Sequence, residues 1–446
     1  MTRSVFRTEL RSLLSLAVPL AAAQAGTQLM SLVDIAVLGR LGATELAAAG
    51  LGNAIFFAFS VFGMGLAFGV DPLISQAIGA GEPMRARKVM WQGIWLSVVV
   101  SGVLTVALVL ASLGLPYVGV EAELVSPTNT YLLIRILGLV PFLAFLVLRA
   151  YLQAVGVTKP MLISMVAANV FNIVADIAFV FGFGPIPAMG VAGAALATVL
   201  GQILQLWILV RAVNRIPVDC AGHENIRQWS APDVRRAFRV GLPVAVQLAA
   251  EVGIFALVGV LAGRLGTNDL AAHQLVLGLA SFTYTVALGI ASAGSVRVGL
   301  AIGARDEAAT RAAGYAALLG GAGVMAINAA IFALFPQPLA RLMTDQPMVI
   351  LTAMPLFLVA AVFQLSDGIQ AVGAGALRGA ADTKFSLWAN LGGHWLVGLP
   401  IALWLGFHER MGIVGLWWGL CAGLTVVAVL LFARFDRLSA RVIQRV

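Results

Sequence analysis

Polar residues in this 446-residue chain are so thinly spread that apolar runs of membrane-crossing length make up most of it. A transmembrane helix needs about 20 mainly apolar residues. The pattern predicts twelve, at about 13–37, 47–76, 90–115, 131–153, 161–183, 189–212, 239–262, 274–300, 314–336, 350–373, 385–407 and 414–434. The second and eighth are long enough to tilt or to extend past the hydrocarbon. One substantial polar interval, about 213–238, breaks the pattern. It reads as a linker ending in a short helix capped by Ser230, with Pro232 in the first turn.

The second half repeats the first. Residues 39–49 read GRLGATELAAA and residues 263–272 read GRLGTNDLAA, 224 positions on. The same offset relates Pro19 to Pro243, Gly65 to Gly289 and Arg87 to Arg311, and it drifts by only one or two residues further along. The halves therefore share one helix order and one direction, which requires an even number of spans in each. The chain reads as an all-α membrane protein of twelve transmembrane helices in two parallel-repeat, six-helix lobes. The N-lobe covers 1–215, the linker 216–236 and the C-lobe 237–446. Repeats of this kind build transporters that rock about a site near the membrane midplane.

Composition agrees: 61% of residues are hydrophobic, 11% are charged, and mean hydropathy is +0.97. The net charge of +8 could signal nucleic acid, but the excess Lys and Arg gather in loops of one side. They include Arg85, Arg87, Lys88, Arg235, Arg236, Arg305 and the Arg434–Arg445 tail. That bias places both termini in the cytoplasm, in a multi-pass inner-membrane protein with the bilayer as its partner and no nucleic acid. The first apolar run is too long for a signal-peptide core and reads as a retained helix. Cys220 and Cys421 lie too far apart in depth to pair, and His223 and Glu224 read as linker residues rather than a metal site.

Function should lie in ionisable groups held at membrane depth, where charge is costly. Asp34 ends a stripe of Gln24, Thr27, Gln28 and Ser31 in the first span, all on one helix face. Asp176 follows Asn169 and Asn172 in the fifth span, and Thr198 in the sixth can reach the same place. These oxygens suit a hard cation or a shared proton. In the C-lobe, Glu251 follows Gln247 by one turn, and Asp367 lies beside Gln364 and Gln370. Glu251 aligns with Thr27, and Asp34 with Val258, so the scaffold is duplicated but its chemistry is not. Any one carboxylate could be structural, paired with a neighbouring hydroxyl or backbone group. His394 could relay protons or be a satisfied core residue. Phe363 could face a cation through its ring or simply pack. Pro19 and Pro243 could kink their helices or mark helix entry. Arg149 and Arg297 read as residues that snorkel at helix ends.

Several segments together resemble the multidrug and toxic compound extrusion (MATE) transporters. They are SLVDIAVLGRLG (31–42), DPLISQAIGAGEP (71–83), ANVFNIVAD (168–176), MGVAGAALAT (189–198), SVRVGLAIGA (295–304) and LRGAADTKF (377–385). The resemblance implies two lobes around a central cavity and export of bulky cationic or amphiphilic small molecules, driven by inward Na⁺ or H⁺. By the same resemblance, Asp34, Asn172, Asp176 and Thr198 match the N-lobe ion site. Glu251 and Asp367 match the C-lobe acids of NorM-type members. Gln24, Gln28, Asn169, Gln247, Phe363 and Gln364, on the same helix stripes as the acids, read as supporting cavity residues. Phe363 departs from members that carry a tyrosine, since it lacks the hydroxyl.

The expectation is a secondary active multidrug antiporter working as a monomer, with no cofactor beyond the coupling ion and any Na⁺ held at the same carboxylates. The alternative is a lipid-linked oligosaccharide flippase of the same superfamily, whose anionic cargo would favour basic residues over acids. An enzyme is not expected, because the four histidines are scattered and form no HExxH or nucleophile–base pattern.

Overall fold

A computed structural model describes residues 3–117, 119–218, 225–441 and 443–445. Cys220, His223 and Glu224 lie outside the described residues, as do the side chains of Thr27 and Ser31. The helices are α1 (Arg3–Leu38), α2 (Ala43–Phe68), α3 (Val70–Gly79), α4 (Pro83–Gly114), α5 (Ala122–Ile136), α6 (Leu139–Ala154), α7 (Lys159–Phe181) and α8 (Val191–Asn214). After the linker come α9 (Ala231–Leu265), α10 (Thr267–Gly303), α11 (Glu307–Leu334), α12 (Pro336–Met343), α13 (Pro347–Gly379), α14 (Thr383–Leu391), α15 (Leu399–Leu403) and α16 (Gly412–Ser439). No strand occurs among the described residues. In hydrocarbon, a backbone without water must close its own hydrogen bonds, and helices do so within one segment.

Nine helical stretches among the described residues are long and apolar enough to cross a membrane, and α5 with α6 makes a tenth, bent by 43° at Leu137–Gly138. The expected first span lies inside α1, which has 36 residues. The expected eleventh is a helical run from Thr383 to His408. Two stretches of it, Gly392–Gly398 and Trp404–His408, wind as wider π-helical turns around Pro400. Proline has no N–H to give the ladder, and π-turns are a usual accommodation at such points. Pro19 and Pro243 lie well inside α1 and α9, so neither marks helix entry.

The helices are apolar outward. On α4, Val99, Val103, Val106, Leu110 and Leu113 form an exposed stripe at helical spacing, while Leu96, Val100, Leu104 and Leu108 are buried. Such a stripe faces lipid, and polar residues are driven to the interior.

The chain forms two compact units. One contains Ala22–Ile78 and Glu82–Ala245; the other contains Met1–Ala21, Gly79–Gly81 and Val246–Val446. The repeat limits of 1–215 and 237–446 differ from these at Gly79–Gly81 and at two changes within helices: α1 changes unit after Ala21 and α9 after Ala245, residues that are themselves 224 apart. Each change follows a proline by two residues. Inside the second unit, the carboxylate of Glu9 takes bonds from Nε and Nη2 of Arg297 at 2.6–3.0 Å. Arg297 therefore pairs within the protein instead of snorkelling.

Small residues set the helix spacing. Gly375 and Gly379 on α13 lie against the backbone of Ala291 and Ser295 on α10, with no room for a Cβ at either glycine. This is the small-xxx-small contact that lets membrane helices approach when no hydrophobic effect draws them together. Gly375→Leu should therefore lower stability by about 1–3 kcal/mol or more, read as a fall in melting temperature on detergent size-exclusion chromatography. An unchanged melting temperature would show that the helices separate freely.

Candidate functional site

α7 carries two faces. Ile163, Val166, Val170, Val174 and Ile177 are exposed, while Ala168, Asn169, Asn172 and Asp176 are buried. The inward polar stripe follows from the cost of leaving amides and carboxylates in hydrocarbon.

Two helices bring partners to it. Gly26 of α1 lies against Met165 and Asn169, where a Cβ would come within 2.6 Å of the Met165 side chain. Eight residues past Gly26 on α1 and seven past Asn169 on α7, at 1.5 Å per residue, Asp34 arrives beside Asp176. α8 enters by a tight return. Gly182 and Gly190 adopt positive φ (83° and 54°), and the Met189 and Gly190 N–H groups bond back to the carbonyls of Phe179 and Val180. Only glycine takes such φ without strain. Gly193 then rests on the Phe179 backbone, which sets the register that carries Thr198 to the acids.

The Thr198 hydroxyl donates to Asp34 Oδ2 at 3.3 Å and to the Ala194 carbonyl at 3.0 Å. The Asp34 carboxyl lies next to Asp176 and Asn172. Among the described residues, Asp34 Oδ1, both Asp176 oxygens and both polar atoms of the Asn172 side chain have no hydrogen-bond donor or acceptor in bonding geometry. Asn169 donates to the Met165 carbonyl at 2.9 Å, and its own oxygen is unpartnered. Gln24 accepts from Arg149 Nη1 at 3.5 Å, so Arg149 also has a partner in the protein. Gln28 is half-buried on the same stripe of α1.

The second acidic site lies in the other unit. Oε2 of Glu251 accepts from Gln370 Nε2 at 3.4 Å and from Asn390 Nδ2 at 3.3 Å. Asp367 and Glu251 interact electrostatically, and Tyr284 of α10 is close to both. Gln247 is buried one turn before Glu251. The amide oxygen of Gln364 accepts from the Thr283 hydroxyl at 2.9 Å, and its nitrogen is unpartnered. The Phe363 ring packs edge-on between Phe255 and Trp417, with centroids at 6.1 and 5.6 Å, away from lipid. His394 follows Asn390 by one turn, buried beside Phe255, and neither ring nitrogen has a partner. No group of three or more His, Cys, Asp or Glu side chains suited to a metal occurs among the described residues.

Sequence reasoning missed Arg135 and Tyr131 at the first site, and Tyr284 and Asn390 at the second. Arg135 had a signal: it is a charge inside the fourth span, and the rule that singled out the acids applies to it equally. Asn390 had a weaker one, its position one turn before His394.

The description MatE belongs to a family model that matches residues 19–178 and again 243–404, with starts 224 apart. The chain belongs to the MatE family. It is 35% identical over 443 residues to the "Probable multidrug resistance protein NorM" of Rhizobium meliloti (strain 1021), covering 98% of this chain and 95% of that protein. It is likewise 35% identical over 432 residues to the "Multidrug resistance protein NorM" of Burkholderia vietnamiensis, covering 94% and 92%. Among solved structures, the eukaryotic MATE transporter AtDTX14 shares the fold, with TM-score 0.86, 23% identity and 96% of both chains covered. So does an outward-facing multidrug resistance MATE family transporter of the MOP superfamily, with TM-score 0.86 and 21% identity over 99% and 98% of the chains. This is a family of membrane transporters, not of enzymes, and the all-α multi-pass fold is theirs.

Asp176 is fully buried, and among the described residues its carboxyl has no hydrogen-bond donor beside it other than the adjoining Asp34 carboxyl; a charged carboxylate in that position opposes folding. Asp176→Asn should leave the melting temperature in detergent unchanged or raise stability by about 1 kcal/mol. A clear loss of stability would mean that Asp176 has a structural partner.

Proposed function

We propose that this chain is a secondary active multidrug exporter. It carries cationic and amphiphilic small molecules outward in exchange for Na⁺ or H⁺. Family membership and the names of its relatives support the transport class. One observation supports the coupling: Asp34 and Asp176 adjoin one another with far more acceptor oxygens than donors. A carboxylate out of water calls for a proton or a metal cation, because the bare charge is poorly solvated.

The cycle follows from differential affinity. Entry of the coupling ion from outside neutralises an acidic site, and helices beside it repack. A cationic drug then loses its counter-charge and leaves outward. The empty carrier returns, and the ion departs inward. Each ligand shifts the equilibrium only by its difference in affinity between the two states. Asp34, Asp176, Asn172 and Thr198 hold the ion in one unit; Glu251 and Asp367 hold an ion or the drug in the other. Gln24, Gln28, Asn169, Gln247 and Gln364 support them, and Phe363 stiffens the wall behind Asp367. The distribution of Lys and Arg supports an inner-membrane location with both termini in the cytoplasm, and a monomer suffices for this cycle. The flippase reading has less in its favour, since an anionic cargo would meet carboxylates at both sites.

Proteoliposomes loaded with a fluorescent cation test this under separately imposed Na⁺ and pH gradients. One gradient should drive efflux. Asp34→Asn and Glu251→Gln should each reduce it by about tenfold or more, the scale on which removing one buried charge contact acts, with the protein still folded. Efflux that depends on neither gradient, or full activity of both variants, would sink the antiport reading.

A further inference from the structure

Arg135 is only 6% exposed, one turn before the bend that joins α5 to α6. Its guanidinium carbon lies 4.2 Å from the centroid of the Phe56 ring, a cation–π contact. It reaches the Tyr131 side chain, which packs in one cluster with Leu38, Val180 and Ala194, each one turn from Asp34, Asp176 or Thr198, and it interacts electrostatically with Asp34. Among the described residues, Nε and Nη1 find no hydrogen-bond acceptor. The seat is built by two helices in register. On α2, Gly52 admits the Tyr131 ring, against which a Cβ would come within 2.6 Å. One turn further along each helix, Phe56 lies against Arg135. α8 adds Gln202, whose Oε1 is buried and unpartnered against Gly138.

A guanidinium keeps its proton in any protein environment. The charged groups gathered here are therefore the carboxyls of Asp34 on α1 and Asp176 on α7, against the fixed cation of Arg135 on α5. Tyr131 is the remaining titratable group. Two carboxylates and one guanidinium leave a single negative charge to be matched.

We propose that Arg135 is a resident counter-charge that limits the Asp34–Asp176 site to one monovalent cation at a time, a proton or Na⁺, and keeps its hold on that cation loose. The proposal rests on the antiport reading and sharpens it. With Arg135 in place, one arriving positive charge completes neutrality, and a second meets net repulsion. Without it, the doubly negative pair draws a cation more strongly and takes a second. Phe56 and Tyr131 position the guanidinium so that it competes with the arriving ion without displacing it.

The test counts cations bound to the purified full chain in detergent. Proton release on a pH step is followed with an indicator dye, and radioactive Na⁺ by equilibrium binding. The wild type should exceed Asp34→Asn/Asp176→Asn by one cation per molecule; a difference of two, or of none, overturns the proposal. Arg135→Gln should lower the half-saturating concentration of that cation by about tenfold or more, since a unit charge nearby acts on this scale. Arg135→Lys should stay within about threefold of wild type, because it keeps the charge. Half-saturation unchanged in Arg135→Gln, or Lys and Gln equally perturbed, would show that the arginine acts only through its shape. Arg135→Met, which keeps an apolar stem against Phe56, replaces the glutamine variant if that fails to insert, and the wild-type count decides without either. Efflux that responds to no gradient sinks antiport, and the cation count still reports on Arg135.

Discussion

The structure turns on carboxylates placed where water is scarce and hydrogen-bond donors are too few. Thr198 supplies one bond to Asp34, while both oxygens of Asp176 are left bare. Evolution could have removed that cost with an asparagine of nearly the same volume. The unbonded oxygens make sense if a positive charge fills the gap for part of a cycle. A site fully satisfied by the protein alone would hold one state and could not respond to an ion. Everything around it is arranged to bring the acids together at a fixed depth: Gly26 against Met165, the Gly182–Gly190 return, and Gly193 on Phe179.

The two units solve the same problem differently. In the unit of Glu251, two side-chain amides, Gln370 and Asn390, donate to one carboxylate oxygen. Amides soften a charge without cancelling it. In the unit of Asp34, the compensating group is a full cation, Arg135. Duplication supplied the common frame, visible in Ala21 and Ala245 as matched change-over points. Later substitution gave each half its own electrostatics. A carrier coupling an ion to a chemically different cargo needs that inequality, since identical sites would bind both ligands equally and discriminate neither.

Much of this was legible in the residues, because lipid imposes a simple rule on them. The spans, the repeat and the inward stripe of Asn169, Asn172 and Asp176 all follow from keeping polar groups out of hydrocarbon. What escaped was set by contacts between distant segments. At the bend of Leu137–Gly138, the glycine lies against the Gln202 side chain of α8, a contact that no local pattern announces. The π-turns of the eleventh span could have been suspected from Gly392, Gly393, Gly398 and Pro400, but their placement follows packing on α16, where Gly393 and Gly398 meet the Gly423 backbone. The change of unit in α1 and α9 has no local signature beyond the prolines. Arg135 carried a local signal as a charge inside a span, but its burial against Phe56 is a tertiary fact.

An exporter of this kind must also release what it binds. Two adjacent acids in a dry pocket would hold a cation strongly enough to stall, because Coulomb attraction grows as the local dielectric falls. The remedy available to a protein is either to wet the pocket, which weakens its grip on everything, or to install a fixed charge that subtracts from the attraction alone. A lysine beside these carboxylates would carry the same charge, but its ammonium is compact and strongly hydrated and sits less well on an apolar wall. An arginine's planar face can lie on an aromatic ring without demanding hydrogen bonds on every side. Arg135 on Phe56 meets that condition. The choice of residue type thus follows from the same constraint that placed the acids: in a medium that punishes unpaired charge, the group left permanently charged has to be the one that tolerates it best.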